Sequence, residues 1–414
     1  MVFSPTFSQK IDNIKVAKLL FYGAIFLLPF QISTIIFQPD IYLSGQANQF
    51  NNATLYLTDI LVILSAIFFF PKKSKKELSI GDKRITIVLA TIAVIILALN
   101  FSNDIFPMHW MLFRILIFAI IYLLLINKIA TQDSLTKVLI LAGTFQSIIA
   151  IMQFGEQKSI GLSFLGEPNL EASNIAKIDV NDSKIIRSYG TMPHPNILAG
   201  FLTISVILGM KFKKWMPLIG LCIVGIILTF SRSAMVAIAI CMLLFTIANI
   251  RQLKKYYIYA LIGVIAVSIA VFFTYPSLKS HIFSTYEINE RLESIPIAIS
   301  MIEGNLLGVG WQNSSNLMQQ YTEEKIKPWD YQPIHNIYLL ITAELGIFGI
   351  ALVLFLIFYS ITSGKDPTIK YALIALCIIG LFDHYLYTLY QGQVIAIIII
   401  SIQQLERKTY HSQQ

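Results

Sequence analysis

Residues 336–360 read NIYLLITAELGIFGIALVLFLIFYS, a run with one charged side chain, Glu344, and few other polar groups. About 20 apolar residues in helical form, rising ~1.5 Å each, cover the ~30 Å hydrocarbon core of a bilayer. The run predicts a membrane-spanning helix. An amphipathic helix on a soluble core would carry polar residues on one face at every turn.

The same texture extends in both directions. Apolar blocks stand near residues 17–35, 54–70, 85–100, 109–127, 135–154, 195–210, 214–230, 233–250, 257–275, 368–385 and 387–403, which with 336–360 makes about twelve spans. The expected fold class is all-α: a polytopic membrane protein, with residues 1–414 forming a single integral membrane domain. Of 414 residues, 56% are apolar and 13% charged, and mean hydropathy is +0.69, which excludes an ordinary soluble domain. Cys222, Cys241 and Cys377 lie inside apolar blocks and read as small buried hydrophobes. The first block follows a basic segment without a small-residue cleavage site, so it is expected to be a retained helix.

The net charge of +8 does not point to nucleic acid, because no basic patch is interleaved with aromatics. In a membrane protein, Lys and Arg report orientation, collecting in short cytoplasmic loops. With the N-terminus inside, the inner segments hold Lys10, Lys15 and Lys18; Lys72, Lys73, Lys75, Lys76, Lys83 and Arg84; Lys128 and Lys137; Lys211, Lys213 and Lys214. Further along they hold Arg251, Lys254 and Lys255; Lys365 and Lys370; and Arg407 and Lys408. The short outer segments 36–53 and 101–108, and the turn between the last two spans, contain neither Lys nor Arg. Both termini are thus expected in the cytoplasm, and two long loops, 155–194 and 276–335, outside. The second loop contains Arg291 to Ile302, with Leu292, Ile295, Ile299 and Ile302 at helical spacing and Pro296 as a start or kink. It reads as a helix lying on the membrane or on the bundle.

Four outer features carry candidate chemistry. Arg232, in TFSRSA (229–234), stands at the junction of two apolar spans, where a guanidinium costs up to roughly 2.5–3.5 kcal/mol. Its planar fork suits phosphate or carboxylate; the plainer alternative is a snorkelling anchor. Arg291 is a second outer guanidinium, able to share a diphosphate or to pair with Glu287 or Glu290. His335 and Asn336 stand where the chain re-enters the membrane. A histidine there, with an ordinary pKa of about 6.5, either takes a proton from a hydroxyl or caps a helix. In RSYGTMPHPN (187–196), Asn196 is expected to cap the next helix and Gly190 to turn the chain, with Arg187 available to an anion. Arg114, in the outer half of its span, is another costly charge expected to face the same cavity. No P-loop, dinucleotide fingerprint, zinc-binding HExxH or clustered carboxylate site occurs, so metal catalysis is disfavoured and no cofactor is expected.

The ordered set HPNxLA at 194–199, TFSRSA at 229–234, an Arg-led helix ending in LLGVGW at 306–311, and HNIYLLITAELGIFG at 335–349 resembles the O-antigen ligase and polymerase superfamily. The resemblance implies a bacterial inner-membrane glycosyltransferase of polysaccharide and lipopolysaccharide biosynthesis in the cell envelope. It implies transfer of a glycan from undecaprenyl diphosphate to an acceptor hydroxyl at the outer face, without metal or nucleotide. The partners implied are a lipid-linked glycan donor and a glycolipid, glycan or protein acceptor. It assigns Arg232 and Arg291 to the diphosphate and His335 to general-base activation of the acceptor; Arg187, Arg114 and Asn336 complete the expected substrate contacts. Ligase, polymerase and protein O-oligosaccharyltransferase share this scaffold and are not separated by the motifs. A transporter is the competing class, disfavoured because polar groups gather at the outer face and no inverted repeat is detectable.

Overall fold

The computed structural model describes residues 12–39, 42–43, 46–73, 78–101, 108–173, 175–180, 183–249 and 285–405. The expected span 257–275 lies outside the described residues. So do Lys10, Lys75, Lys76, Arg251, Lys254, Lys255, Arg407 and Lys408, and the side chains of Glu287 and Glu290.

The chain is mainly helical: α1 (Asn13–Leu27), α2 (Leu57–Phe69), α3 (Lys83–Asn100), α4 (Met108–Ile126), α5 (Gln132–Glu156), α6 (Pro195–Gly209), α7 (Met216–Leu228) and α8 (Arg232–Asn249) come first. Then follow α9 (Thr285–Gly304), α10 (Ser314–Leu317), α11 (Ile337–Ser363), α12 (Pro367–Gly380), α13 (Tyr385–Thr388) and α14 (Tyr390–Leu405). Helices occupy every expected span among the described residues. By length and composition, α3, α4, α5 and α11 can each cross a membrane; α6, α8, α12 and α14 are shorter apolar helices.

Three departures from expectation have local causes. The first span stops at Leu27, two residues before Pro29, and residues 33–37 instead form strand β1 (Ser33–Phe37). This strand pairs antiparallel with a later one, Ala53–Tyr56. The loop 155–194 is not wholly peripheral, because Ile186 to Met192 are buried. Irregular backbone inside a bundle needs partners, and α5 supplies two glutamines. Gln153 Oε1 accepts from Tyr189 N (3.1 Å) and Gly190 N (2.8 Å), and Gln146 Oε1 accepts from Thr191 N (2.8 Å). Third, α9 begins at Thr285, so Pro296 falls inside it, and its stripe is rotated from the one read by spacing. Ser294, Ala298 and Met301 are buried, packing with Leu340 and Ala343 of α11, whereas Leu292 and Ile299 are exposed. The small Ala298 and Ala343 side chains permit the close approach.

All fifteen residues of α6 are buried, and it touches α5, α7, α8, α12 and α14. An apolar helix buried all round is a central one. At its C-terminal end Lys211 Nζ meets Asp133 (2.8 Å) and Asp366 (3.5 Å), joining the loop before α7 to the first turn of α5 and the N-cap of α12. At its N-terminal end Asn196 meets Asp383, just past α12. The bundle therefore has a lysine-bearing end and an opposite end where the histidine and arginine motifs lie.

Candidate functional site

His335 is fixed from both sides along the chain. Ile334 is buried beside Leu340 and Met301, and Asn336 is the N-cap of α11, its Oδ1 accepting from Tyr338 N (3.0 Å) and Leu339 N (3.1 Å). Asn336 Nδ2 donates to Leu381 O (3.3 Å), tying the start of α11 to the end of α12. Asn336 was expected at the substrate; both ends of its amide are engaged within the protein, which fixes the backbone next to His335.

The His335 ring meets His384 edge-on, with centroids 4.9 Å apart. His384 follows Asp383 in the segment between α12 and α13, and its Nδ1 lies 2.7 Å from Thr388 Oγ1. Asp383 is buried. Its Oδ1 accepts from His384 N (2.8 Å) and its Oδ2 from Asn196 Nδ2 (2.8 Å), and it stands within electrostatic range of His194, His335 and His384. Half of the chain's six histidines thus surround one carboxylate. Asp383 and His384 were not expected here. Their only sequence signal is an ionisable doublet in a turn that lacks Lys and Arg.

The second limb comes from the 187–196 segment. Arg187 is buried; its Nε donates to Thr229 O (2.7 Å) and its Nη2 to Asn196 Oδ1 (2.6 Å). Asn196 therefore bridges Arg187 and Asp383. The cap of α6 is instead His194, whose Nδ1 accepts from Asn196 N (3.2 Å). Arg187, expected to meet an anion, spends its guanidinium holding the α7–α8 turn. In that turn Phe230 takes a left-handed conformation (φ +52°), and Arg232 opens α8, half-buried. A chain of contacts thus runs from the TFSRSA turn through Arg187 and Asn196 to Asp383 and the histidines.

Arg291 is half-buried on α9, near enough to His335 to act on its charge. Burial pushes the His335 pKa below its ordinary 6.5. Asp383 opposes that shift and Arg291 adds to it. The imidazole is accordingly neutral at ambient pH, the form that accepts a proton. Among the described residues, no group of three or more His, Cys, Asp or Glu side chains is disposed to hold a metal ion.

The LLGVGW motif works with the ELG of α11. The helix breaks at Gly346 (φ +70°, ψ −173°), freeing backbone groups that would otherwise bond along it. Val309 N donates to Ala343 O (2.9 Å), Gly310 N to Glu344 O (2.9 Å), and Ile347 N to Leu306 O (3.0 Å). The Glu344 carboxylate accepts from Gln312 N (2.7 Å) and Ser314 Oγ (2.7 Å). Glu344 thereby clamps the large loop onto the helix that carries His335.

Arg114 was expected to face the same cavity as the other arginines. Its Nη1 pairs with buried Asp59 (2.8 Å), its Nη2 donates to Thr54 O, and its guanidinium lies over Tyr390, Trp110, Tyr56 and Phe113. This is a satisfied buried ion pair in an aromatic cage, so its charge is not open to a substrate anion.

A search of curated proteins gave no match. Residues 217–354 match the family model described as O-antigen ligase. That stretch holds Arg232, Arg291, the LLGVGW loop and His335, the same features that the geometry gathers at one end of the bundle. Over residues 217–354, this membrane protein carries the O-antigen ligase domain of the O-antigen ligase superfamily.

Proposed function

We propose that the protein transfers a glycan from a polyprenyl diphosphate, undecaprenyl diphosphate in a bacterial inner membrane, to an acceptor hydroxyl at the extracytoplasmic face. The observation that carries this reading is the placement of His335: held between an apolar anchor and a helix cap, within electrostatic range of buried Asp383 and of Arg291. The charge pattern of the loops supports an outer location, since the histidine end lies opposite the lysine-bearing end.

In this mechanism His335 accepts the proton of the acceptor hydroxyl as its oxygen attacks the anomeric carbon. The glycosidic C–O bond to the diphosphate breaks on the opposite side, and the electron pair leaves with the diphosphate. Arg232 and Arg291 oppose the negative charge that grows on that leaving group, so they stabilise the transition state more than the ground state. Asp383 favours the imidazolium that forms, and Arg187 and Asn196 hold Asp383 and the Arg232 turn in place. The chemistry needs no nucleotide. Acceptors on this scaffold are a lipid core, a growing glycan or a protein.

The test supplies purified protein in detergent or vesicles with a polyprenyl-diphosphate glycan and separate glycolipid, glycan and protein acceptors. Formation of one glycosylated product with release of polyprenyl diphosphate is expected. Absence of product with every acceptor, alongside uptake of donor or sugar into vesicles, would favour the transporter reading.

A further inference from the structure

Beside the histidine cluster lies a cleft of about 80 Å³ that the mechanism above does not use. That exceeds the ~10–15 Å³ a single water needs, so the cleft admits a ligand larger than water. Its walls are aromatic: Trp110, Trp311 and a stacked Tyr56–Tyr390 pair with centroids 4.5 Å apart. Its polar lining is amide and hydroxyl, from Asn52, Gln312, Gln393 and Thr388. Among the described residues, Asn52 Oδ1 has no hydrogen-bond partner. Arg114 is the only charged side chain among the described residues that line the cleft, and Asp59 matches its charge.

The cleft is pre-shaped. Asn48 Nδ2 donates to Ser315 Oγ (3.0 Å) and Asn316 Oδ1 (2.6 Å), which fastens the 48–52 segment to the large loop. The Arg114 cage fixes the tyrosines, and Glu344 fixes the Gln312 backbone. Two lining residues also touch the catalytic cluster: Thr388 lies against His384 Nδ1, and the Phe50 ring meets the His384 ring at 5.6 Å. Apolar ring faces with a few convergent amides, and no uncompensated charge, fit a ligand with C–H faces and hydroxyl edges.

We propose that this cleft binds one neutral monosaccharide unit of the glycan, adjacent to the reacting centre. Uncharged hexoses and N-acetylhexosamines fit; a hexuronic acid does not, because its carboxylate would meet no free cation among the described residues that line the cleft. The inference rests on the glycan-transfer reading and refines it by naming a sugar class and a second subsite.

Two of the chain's four tryptophans line the cleft, which supplies the probe. In a Trp215→Phe, Trp329→Phe background, emission from Trp110 and Trp311 is followed while methyl glycosides of a neutral hexose, an N-acetylhexosamine and a hexuronic acid are titrated in. The neutral glycosides are expected to shift emission at millimolar concentration, and Asn52→Leu and Gln393→Leu to weaken that binding about tenfold each. Gln393→Ala substitutes for either leucine variant that fails to accumulate. No response to any neutral glycoside, a stronger response to the uronic acid, or unchanged binding in the variants would overturn the proposal. Full-rate glycan transfer by both variants would also overturn the subsite and leave the catalytic reading standing. Sugar binding by a protein that transfers no glycan would do the reverse.

Discussion

Asn196 donates to Asp383 at 2.8 Å, joining the first turn of α6 to the segment after α12, while its carbonyl oxygen accepts from Arg187. A buried carboxylate held this way presents a fixed negative charge to His335 and His384. In the proposed mechanism it favours the imidazolium and orients the ring. Asp383→Asn keeps the shape and removes the charge, so transfer is expected to fall by about 10²–10⁴-fold with little loss of accumulated protein. Initial rates against product analysis by mass decide it; a rate within twofold of the parent would exclude Asp383 from the mechanism.

Arg232 and Arg291 are half-buried, Arg232 opening α8 after a strained turn and Arg291 lying within α9. The proposed mechanism sets each against the diphosphate. Arg232→Ala and Arg291→Ala are each expected to lower kcat about 10²–10³-fold, since each removes charge-assisted donors that act on a developing anion. Lysine is expected to restore only part of the loss, because an ammonium cannot form the bidentate fork. Arg187→Ala gives a different signature. It releases Thr229 O and Asn196, so thermal stability in detergent should fall together with activity.

Where apolar spans run, the chain states its fold openly, because length and hydrophobicity are local properties. Arg232 and His335 drew notice as candidates for the same reason: a charge or imidazole at the edge of a span is costly. Asp383 acquires meaning only from its contact with Asn196, 187 positions away, and no local pattern announces such a pairing. Arg114 lines a cleft beside the histidine cluster, but its pairing with Asp59 was hidden for the same reason, since the cost of a charge in a span is visible and its partner is not. In α9 the stripe of large residues, Leu292 and Ile299, was more conspicuous than the small ones that pack, Ser294 and Ala298.

The pH profile follows from His335. Its pKa lies below 6.5 because burial disfavours the charged ring, so the basic form is complete at neutral pH and is lost only as pH falls through that lowered value. The acid limb of kcat/KM should therefore lie below pH 6.5. Stability carries the same sign. Between the lowered pKa and 6.5 the unfolded chain binds the proton more readily than the native one, so stability rises with pH across that window and is level above it with respect to this group. In His335→Gln the acid limb should lose its dependence on this group and residual transfer should be about 10²–10⁴-fold lower. An acid limb midway between pH 7 and 8 in the parent protein would contradict the assignment.

Gly308 and Gly346 face each other across the loop–helix junction. A Cβ on Gly308 would lie 2.4 Å from Glu344 O, one on Gly346 would lie 2.4 Å from Leu307 C, and both backbones have positive φ. At Gly346, φ +70° with ψ −173° is a region that only glycine enters cheaply. Gly346→Ala therefore strains the backbone and also pushes away the strand of loop that satisfies Ala343 O and Glu344 O. A loss of more than about 3 kcal/mol is expected. Gly155 and Gly220 serve as controls, since each lies in a helix with nothing within 4 Å of an added Cβ. Alanine at either should leave stability unchanged or raise it by about 0.4–1 kcal/mol. Thermal unfolding in detergent separates the two classes. Equal midpoints for Gly346→Ala and Gly220→Ala would mean that the junction does not anchor the loop, and with it would go the account of how LLGVGW holds α9 and Arg291 beside His335.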